Sequence, residues 1–233
     1  MKKMKVLFAA FLLFTCIRLN AQTVDEIVNM HVEAMGGKEK LAALKTVKMS
    51  GNMSVQGTDI ALTMTKSQMV GMRVDIEVGG TSNYQVANMK EGWVFMPAMG
   101  MADPVAMDAD QLKSYANQMD VQGALFNYKE KGSSVELAGT EKVDGNDAYK
   151  IKVTYKNGKN GTYFIDKKTN RIVKTSGKAT MQGQEMDVET TFADYKQTVD
   201  GYWFPYAVTN MQGTINFDKV EVNMPVDEKI YSN

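Results

Sequence analysis

The sequence predicts a mainly β (α+β) protein, in which a curved antiparallel sheet of about 10–11 strands is covered by two or three short helices. Three observations predict this class. Hydrophobicity alternates with a period of two over much of the chain, turn motifs such as VDGND and KNGKNG separate the alternating segments, and only a few stretches have helical spacing. A sheet with one apolar face and few helices must curl so that the helices cover its concave side.

The first 21 residues are predicted to be a secretory signal peptide. Three lysines among the first five residues precede the apolar run VLFAAFLLFTCI, and Ala21 marks the expected cleavage site. We therefore expect residues 22–233 to form one exported domain in the periplasm. Cys16 lies in the apolar run, where lipidation is the alternative to removal, and the processed chain would contain no cysteine. Its stability would then depend on burial, because disulfides are excluded.

Two helices are predicted at the start of this domain, and a third near its middle. Thr23 and Glu26 form a capping box before a helix that ends near Gly36, and KEKLAALK follows as a short second helix. The third helix begins at a capping pair, Asp108 and Gln111. Its apolar face carries Leu112, Tyr115, Ala116 and Met119.

The segments TVKMSGNMSV, DIALTMT, MRVDIEV and AYKIKVTY are predicted to be strands with one polar and one apolar side. Similar turns join their neighbours, so we expect a meander. The apolar sides carry Val47, Met49, Met53 and Val55; Ile60, Leu62 and Met64; Met72, Val74, Ile76 and Val78; and Tyr149, Ile151, Val153 and Tyr155.

The stretch MPAMGMADPVAM, residues 96–107, is unusually rich in methionine. Its two prolines predict an irregular loop. Met96, Met99 and Met101 have a spacing that thioether ligands of Cu(I) can adopt, but the chain offers no cysteine beyond Cys16 and no histidine beyond the distant His31. A flexible, polarizable apolar lining also explains the methionines on the strands. We therefore favour a rim or lid of an apolar cavity, with a partner-docking surface as a further alternative.

The composition argues against several function classes. Lys and Arg total 27 and Asp and Glu total 27, so the charge gives no support for nucleic-acid binding. The single histidine, His31, is expected to be structural or solvated, and Ser-His and Cys-His catalytic arrangements lack support. We predict a non-enzymatic protein, a monomer without cofactor, catalytic residues or a metal site.

Several segments resemble the periplasmic lipoprotein carriers of the LolA type, also described as outer-membrane lipoprotein-sorting proteins. In QVANMKEGWVFMPAMG, Lys90, Trp93 and Pro97 occupy the positions of a turn lysine, a tryptophan and a proline of those carriers. The segments AMGGKEKLAALKTVKMSGNM, LTMTKSQMVGMRVDIE, GTYFIDKKTNRIVK and VDGYWFPYAV are also similar, so the resemblance extends over residues 23–224. It implies an unclosed half-barrel with helices as a lid, which binds acylated or otherwise apolar ligands.

One position departs from the resemblance. The carriers have an arginine directly after a lysine on the early hairpin, where it helps to hold the lid closed, whereas Lys66 is followed here by Ser67. The arginines of the processed chain, Arg73 and Arg171, do not match this position. The departure argues against the closed-lid mechanism and leaves the ligand-binding fold intact.

The sequence therefore predicts a carrier that binds an acylated lipid or a lipoprotein on the concave face, in outer-membrane lipoprotein sorting. The expected protein partner is an inner- or outer-membrane protein with which the carrier exchanges its cargo. The alternatives are an envelope sensor or protein-interaction module with a filled core, and a methionine-rich Cu(I)-binding protein. The expected ligand-binding residues of the cavity and lid are Met49, Met53, Leu62, Met64, Val74, Ile76, Trp93, Met96, Met99 and Met101.

Overall fold

The computed structural model describes residues 22–55, 57–181 and 184–233. The expected signal peptide and Cys16 therefore lie outside the described residues. The helices of the described chain are α1 (Val24–Ala34), α2 (Lys38–Ala43) and α3 (Ala109–Gln118), with 3₁₀ turns at Pro97–Met99 and Glu228–Tyr231. Within these ranges, no helix combines the length and apolarity that crossing a membrane requires.

The sheet contains thirteen antiparallel strands in the described chain. They are β1 (Thr46–Val55), β2 (Thr58–Ser67), β3 (Gly71–Val78), β4 (Thr81–Asn88), β5 (Gly92–Phe95), β6 (Val105–Ala106), β7 (Ser134–Val143), β8 (Asn146–Thr154), β9 (Asn160–Asp166), β10 (Ile172–Met181), β11 (Gln184–Gln197), β12 (Trp203–Asn210) and β13 (Gly213–Val222).

The spatial order is β6-β5-β4-β3-β2-β1-β13-β12-β11-β10-β9-β8-β7, so two meanders meet where β1 pairs with β13. The sheet is an unclosed half-barrel, because β6 and β7 lie at opposite edges. Tight turns explain the meander: Asp144 and Gly145, between β7 and β8, have φ angles of 48° and 81°, as a type I′ hairpin turn requires.

The capping boxes predicted for α1 and α3 are confirmed. The Thr23 hydroxyl accepts a hydrogen bond from the Glu26 N–H at 3.2 Å, and the Glu26 carboxylate accepts one from the Thr23 N–H at 2.8 Å. Asp108 and Gln111 make the same reciprocal pair at α3. Helix α2 is shorter than predicted because Leu44 is extended and buried where the chain turns into β1.

The predicted alternation places one set of side chains beneath the helices, and we call this side of the sheet the inner face. Met49 pairs with Met64, which pairs with Val74, so these three side chains share the inner face. Ile27 of α1 belongs to the same buried cluster as Met49, together with Ile151 from the opposite half of the sheet. The main core therefore lies between α1 and the centre of the sheet.

The methionine-rich stretch is more regular than predicted. Pro97 begins a 3₁₀ turn, and Pro104 directly precedes the two-residue strand β6. Neither proline removes a needed backbone donor, because one lies in the first turn of a helix and the other beside an edge strand. The two-residue strand β6, within the stretch expected to be an irregular loop, accounts for part of the excess over the predicted strand number.

Candidate functional site

Helix α3 lies across the mouth of the half-barrel. At one end of the sheet, the Tyr115 hydroxyl donates a hydrogen bond to the Gln85 side chain on β4. Towards the other end, the Asn157 amide, in the β8–β9 turn, donates to the Lys113 carbonyl oxygen at 3.1 Å and to Asn117 Oδ1 at 3.0 Å. Burial raises the pKa of Tyr115 to about 12, so its hydroxyl stays protonated. The helix therefore bridges the two arms of the open sheet.

The surface beneath α3 consists largely of methionine. Met72, Ala87 and Met119 are buried there, and Met64 and Met107 pack against them. Leu112 and Tyr115, predicted for the apolar face of this helix, also join the cluster. Every residue of α3 keeps some exposure. Because methionine side chains are flexible and polarizable, this contact can repack more readily than one made of branched side chains.

The centre of the inner face is covered by α1, α2 and residues 121–128. In this last segment, Leu125 and Phe126 are 1% and 3% exposed and belong to the main core. Periodicity does not place these two residues in the core, because the segment has neither helical nor strand spacing of its apolar residues. Its apolar sequence ALF was the signal that could have identified it.

An apolar cavity of about 100 Å³ remains beneath α1 and α2. His31, Leu41, Val121, Trp203 and Phe204 are among its lining residues. Pockets that bind drug-sized ligands have volumes of roughly 300–1,000 Å³. This cavity is therefore too small for a long acyl chain, and binding of such a chain here would require the covering elements to move.

A larger depression of about 880 Å³ runs along strands β7–β11. Its lining includes Glu136, Lys152, Lys178, Asp187 and Glu189. Charged side chains of both signs make this an unsuitable environment for a hydrocarbon chain. We therefore place the candidate apolar site beneath the helices, where the cavity is smaller but almost entirely apolar.

His31 is buried, and its contact helps to hold two elements of the fold together. Its Nδ1 lies 2.9 Å from the Asn170 carbonyl oxygen, which links α1 to the β9–β10 turn. Burial lowers the pKa of His31 to about 4, although the hydrogen bond to Asn170 acts in the opposite direction. The imidazole therefore remains neutral at neutral pH and serves the packing of α1.

Six of the residues expected to bind ligand lie on strands β1–β3, and their pairing places them on the inner face. Met49 lies opposite Met64, Met64 opposite Val74, Leu62 opposite Ile76, and Met53 opposite the inner-face residue Ile60. The six are Met49, Met53, Leu62, Met64, Val74 and Ile76. They form a continuous apolar surface on the side of the sheet that faces the helices.

The three methionines of the loop do not share one environment. Met96 is 8% exposed, Met99 is 81% exposed and Met101 is intermediate. Three thioethers in such different surroundings do not form a preorganised copper site. Within the described ranges, no group of three or more His, Cys, Asp or Glu side chains could hold a metal ion.

Trp93 lies on the face opposite the helices, which we call the outer face, and this corrects its expected position in the cavity. It pairs with Val86, whereas its neighbour Val94 pairs with the inner-face residue Gln85. Because adjacent strand residues point to opposite faces, the two side chains cannot both line the cavity. The indole Nε1 is buried and has no hydrogen-bond partner among the described residues.

A polar cluster that no sequence pattern predicts adjoins the apolar surface of β1–β3. Asp120, just after α3, accepts hydrogen bonds from Gln68 at 2.9 Å and from Lys131 at 2.7 Å. Its carboxylate also acts electrostatically on Lys66, on the inner face of β2. The alternation that places Met64 on the inner face also places Lys66 there, so the position of Lys66 could have been predicted from the sequence. Asp120 is remote in sequence, so nothing local predicted its approach.

Comparisons with known proteins identify the fold. No family model matches the chain, and no curated protein matches it. Among solved structures, a domain assigned to the outer membrane lipoprotein-sorting proteins of Vibrio parahaemolyticus is 16% identical, with a TM-score of 0.52, and the match covers 89% of this chain and 95% of that domain. A LolA superfamily protein from Nitrosomonas europaea is 12% identical, with a TM-score of 0.54 and coverages of 91% and 99%.

A third structure, a DUF1329 family protein from Desulfovibrio piger, is 12% identical, with a TM-score of 0.52 and coverages of 91% and 98%. The chain therefore has a LolA-like fold, and the fold expected from the sequence resemblance is confirmed. At these identities the likeness extends to the fold and not to the cargo or partners of the neighbours.

Proposed function

We propose that this protein is a non-enzymatic carrier, exported as a single domain to the periplasm, that binds an acyl chain between the helices and the inner face of the sheet. The position of α3 carries this proposal. The helix bridges the two arms through Gln85 and Asn157 and rests on a methionine surface, as a movable cover would. The apolar run at the N-terminus of the sequence supports export.

Binding would depend on burial. Each methylene removed from water contributes about 0.8 kcal/mol, so an acyl chain can be held without a covalent bond. The cavity of about 100 Å³ must enlarge to admit such a chain. Helix α3 is the element we expect to move, because α1 is held more firmly: Ile27 and Val28 are buried, and the Trp203 N–H donates to the Met35 carbonyl oxygen at the end of the helix.

The cargo we favour is an acylated lipid or a lipoprotein on its way to the outer membrane, exchanged with a membrane protein as partner. The second candidate is an interaction module whose inner face is simply filled. The small size of the cavity favours this alternative. The two functions differ in one respect, because only a carrier takes up an apolar ligand when α3 is free to move.

A reversible cross-link across the mouth tests the proposal. Asn117 and Asn157 contact each other between α3 and the β8–β9 turn. Protein expressed without residues 1–21 contains no cysteine, so N117C and N157C can be joined by a thiol cross-linker that a reductant cleaves. We expect the cross-link to slow uptake of a fluorescent fatty acid at least about tenfold, and reduction to restore it.

The matched control is T209C with T214C, because these two hydroxyls lie 2.8 Å apart within the β12–β13 hairpin, outside the mouth. Joining them should leave uptake unchanged. Native mass spectrometry of the unmodified protein should also show bound acyl-containing molecules. Absence of both bound lipid and fatty-acid uptake would favour the interaction module instead.

A further inference from the structure

Lys66 is the one charged side chain on the inner face of β1–β4, all of whose residues lie in the described ranges. It lies between Val47 and Met72 in the strand pairing, and both neighbours are buried. Its side chain makes no hydrogen bond and no ion pair with any described residue. Burial lowers the pKa of Lys66 to about 8, although the Asp120 carboxylate acts in the opposite direction.

Asp120 does not neutralise this ammonium group. Both of its carboxylate oxygens already have partners, Gln68 on Oδ1 and the Lys131 ammonium on Oδ2. The Asp120 side chain is 9% exposed and that of Lys131 is 24% exposed, so this ion pair is itself largely withdrawn from water. The Asp120 carboxylate thus interacts with two cations, Lys131 and Lys66. These three side chains together keep one positive charge beside an apolar surface.

Other groups of the cluster cannot supply the missing negative charge. Asp120 also acts on Tyr155 and Tyr163, which bond to each other through their hydroxyls. Burial raises the pKa of both tyrosines, so both remain neutral. Their hydroxyls can donate hydrogen bonds to an anion but cannot balance the charge of Lys66.

A charge without a partner in apolar surroundings is unfavourable, and an anion placed beside it relieves that cost. We propose that Lys66 binds the anionic head group of the cargo, which is therefore an acyl chain that ends in a carboxylate or a phosphate. This inference rests on the proposed carrier function. Asp120 is followed by Val121, which lines the apolar cavity, so a tail can extend from the head group along the inner face.

Displacement of a fluorescent fatty acid by three unlabelled ligands of equal chain length tests the inference. Hexadecanoate and hexadecyl phosphate carry an anionic head, whereas hexadecanol does not. For the unmodified protein, we expect either acid to bind at least about tenfold more tightly than the alcohol. The acid that competes more strongly identifies the head group as carboxylate or phosphate.

Three variants then test the role of Lys66. Lys66→Met should weaken binding of the preferred acid about tenfold and leave hexadecanol within about twofold. Lys66→Arg should retain the preference for an acid, because it keeps the charge. The control is Lys48→Met, since Lys48 is also partly buried but lies on the outer face of the neighbouring strand. It should bind all three ligands as the unmodified protein does.

Folding of Lys66→Met is checked by its thermal midpoint, which should equal or exceed that of the unmodified protein, because methionine suits the surroundings of Val47 and Met72. Equal affinity for acids and alcohol, or an equal loss of both in Lys66→Met, would overturn the head-group inference and leave the carrier function standing. Failure of all three ligands to bind the unmodified protein would overturn the carrier function itself.

Discussion

The Ser67 hydroxyl lies 2.8 Å from the Tyr231 hydroxyl, and both residues are buried on the outer face of the sheet. Position 67 therefore points away from the helices, whereas Lys66 points towards them. An arginine at position 67 would meet the C-terminal segment and not the lid. The departure from the carriers at Ser67 therefore lies on the outer face, and the cation that this strand places on the inner face is Lys66.

The contact between Ser67 and Tyr231 should show energetic coupling. Ser67→Ala leaves the buried Tyr231 hydroxyl without this hydrogen bond, and Tyr231→Phe leaves the Ser67 hydroxyl without it. Each variant should therefore lower the free energy of unfolding by about 1 kcal/mol. The double variant should cost less than the sum of the two. Urea denaturation of all four proteins measures this, and strict additivity would contradict the contact.

Gly71→Ala should displace the C-terminal segment. A Cβ at this position would lie 2.3 Å from Cγ of Tyr231, so the ring must move. We expect a loss of about 1–3 kcal/mol in unfolding free energy. Gly177→Ala is the matched strand control, because its nearest contact would be 3.5 Å, and it should be neutral. When the Tyr231 ring is already removed by Tyr231→Ala, adding Gly71→Ala should lower the free energy of unfolding much less than it does in the unmodified protein.

The stability of the protein should fall between pH 7 and pH 5 because of His31. The folded pKa of about 4 lies below the usual value of 6.5, so in this range the unfolded chain binds a proton that the folded chain does not. The lost stability should be about 2 kcal/mol. His31→Gln should flatten this slope in urea denaturation. Since the chain has one histidine, an unchanged slope would assign the effect to carboxylates.

Met96 and Met99 should respond differently to substitution by serine. Met96 is 8% exposed, so Met96→Ser should cost about 2–4 kcal/mol in unfolding free energy. Met99 is 81% exposed, and Met99→Ser should change stability by less than about 0.5 kcal/mol. Thermal denaturation compares the two. Tight Cu(I) binding lost equally in both variants would instead support the copper interpretation.

Much of the fold could be predicted because its signals are local. The capping pairs at Thr23 and Asp108 act within three residues, and the alternation around Met49 and Val74 assigns a face to each side chain. Trp93 was expected in the cavity but lies on the outer face. Alternation within its short strand shows only that Trp93 and its neighbours point to opposite faces, and not which face lies beneath the helices. The face that this strand turns to the helices depends on its pairing with β4.

The sequence by itself determined that this chain forms an antiparallel sheet with one apolar face and a few capped helices, because hydrogen bonding and periodicity operate over neighbouring residues. Only the tertiary structure decided that β1 pairs with β13, that α3 reaches Asn157, and that Asp120 approaches Lys66. These contacts join residues far apart in sequence, and they form only because the folding of the whole chain buries its apolar surface.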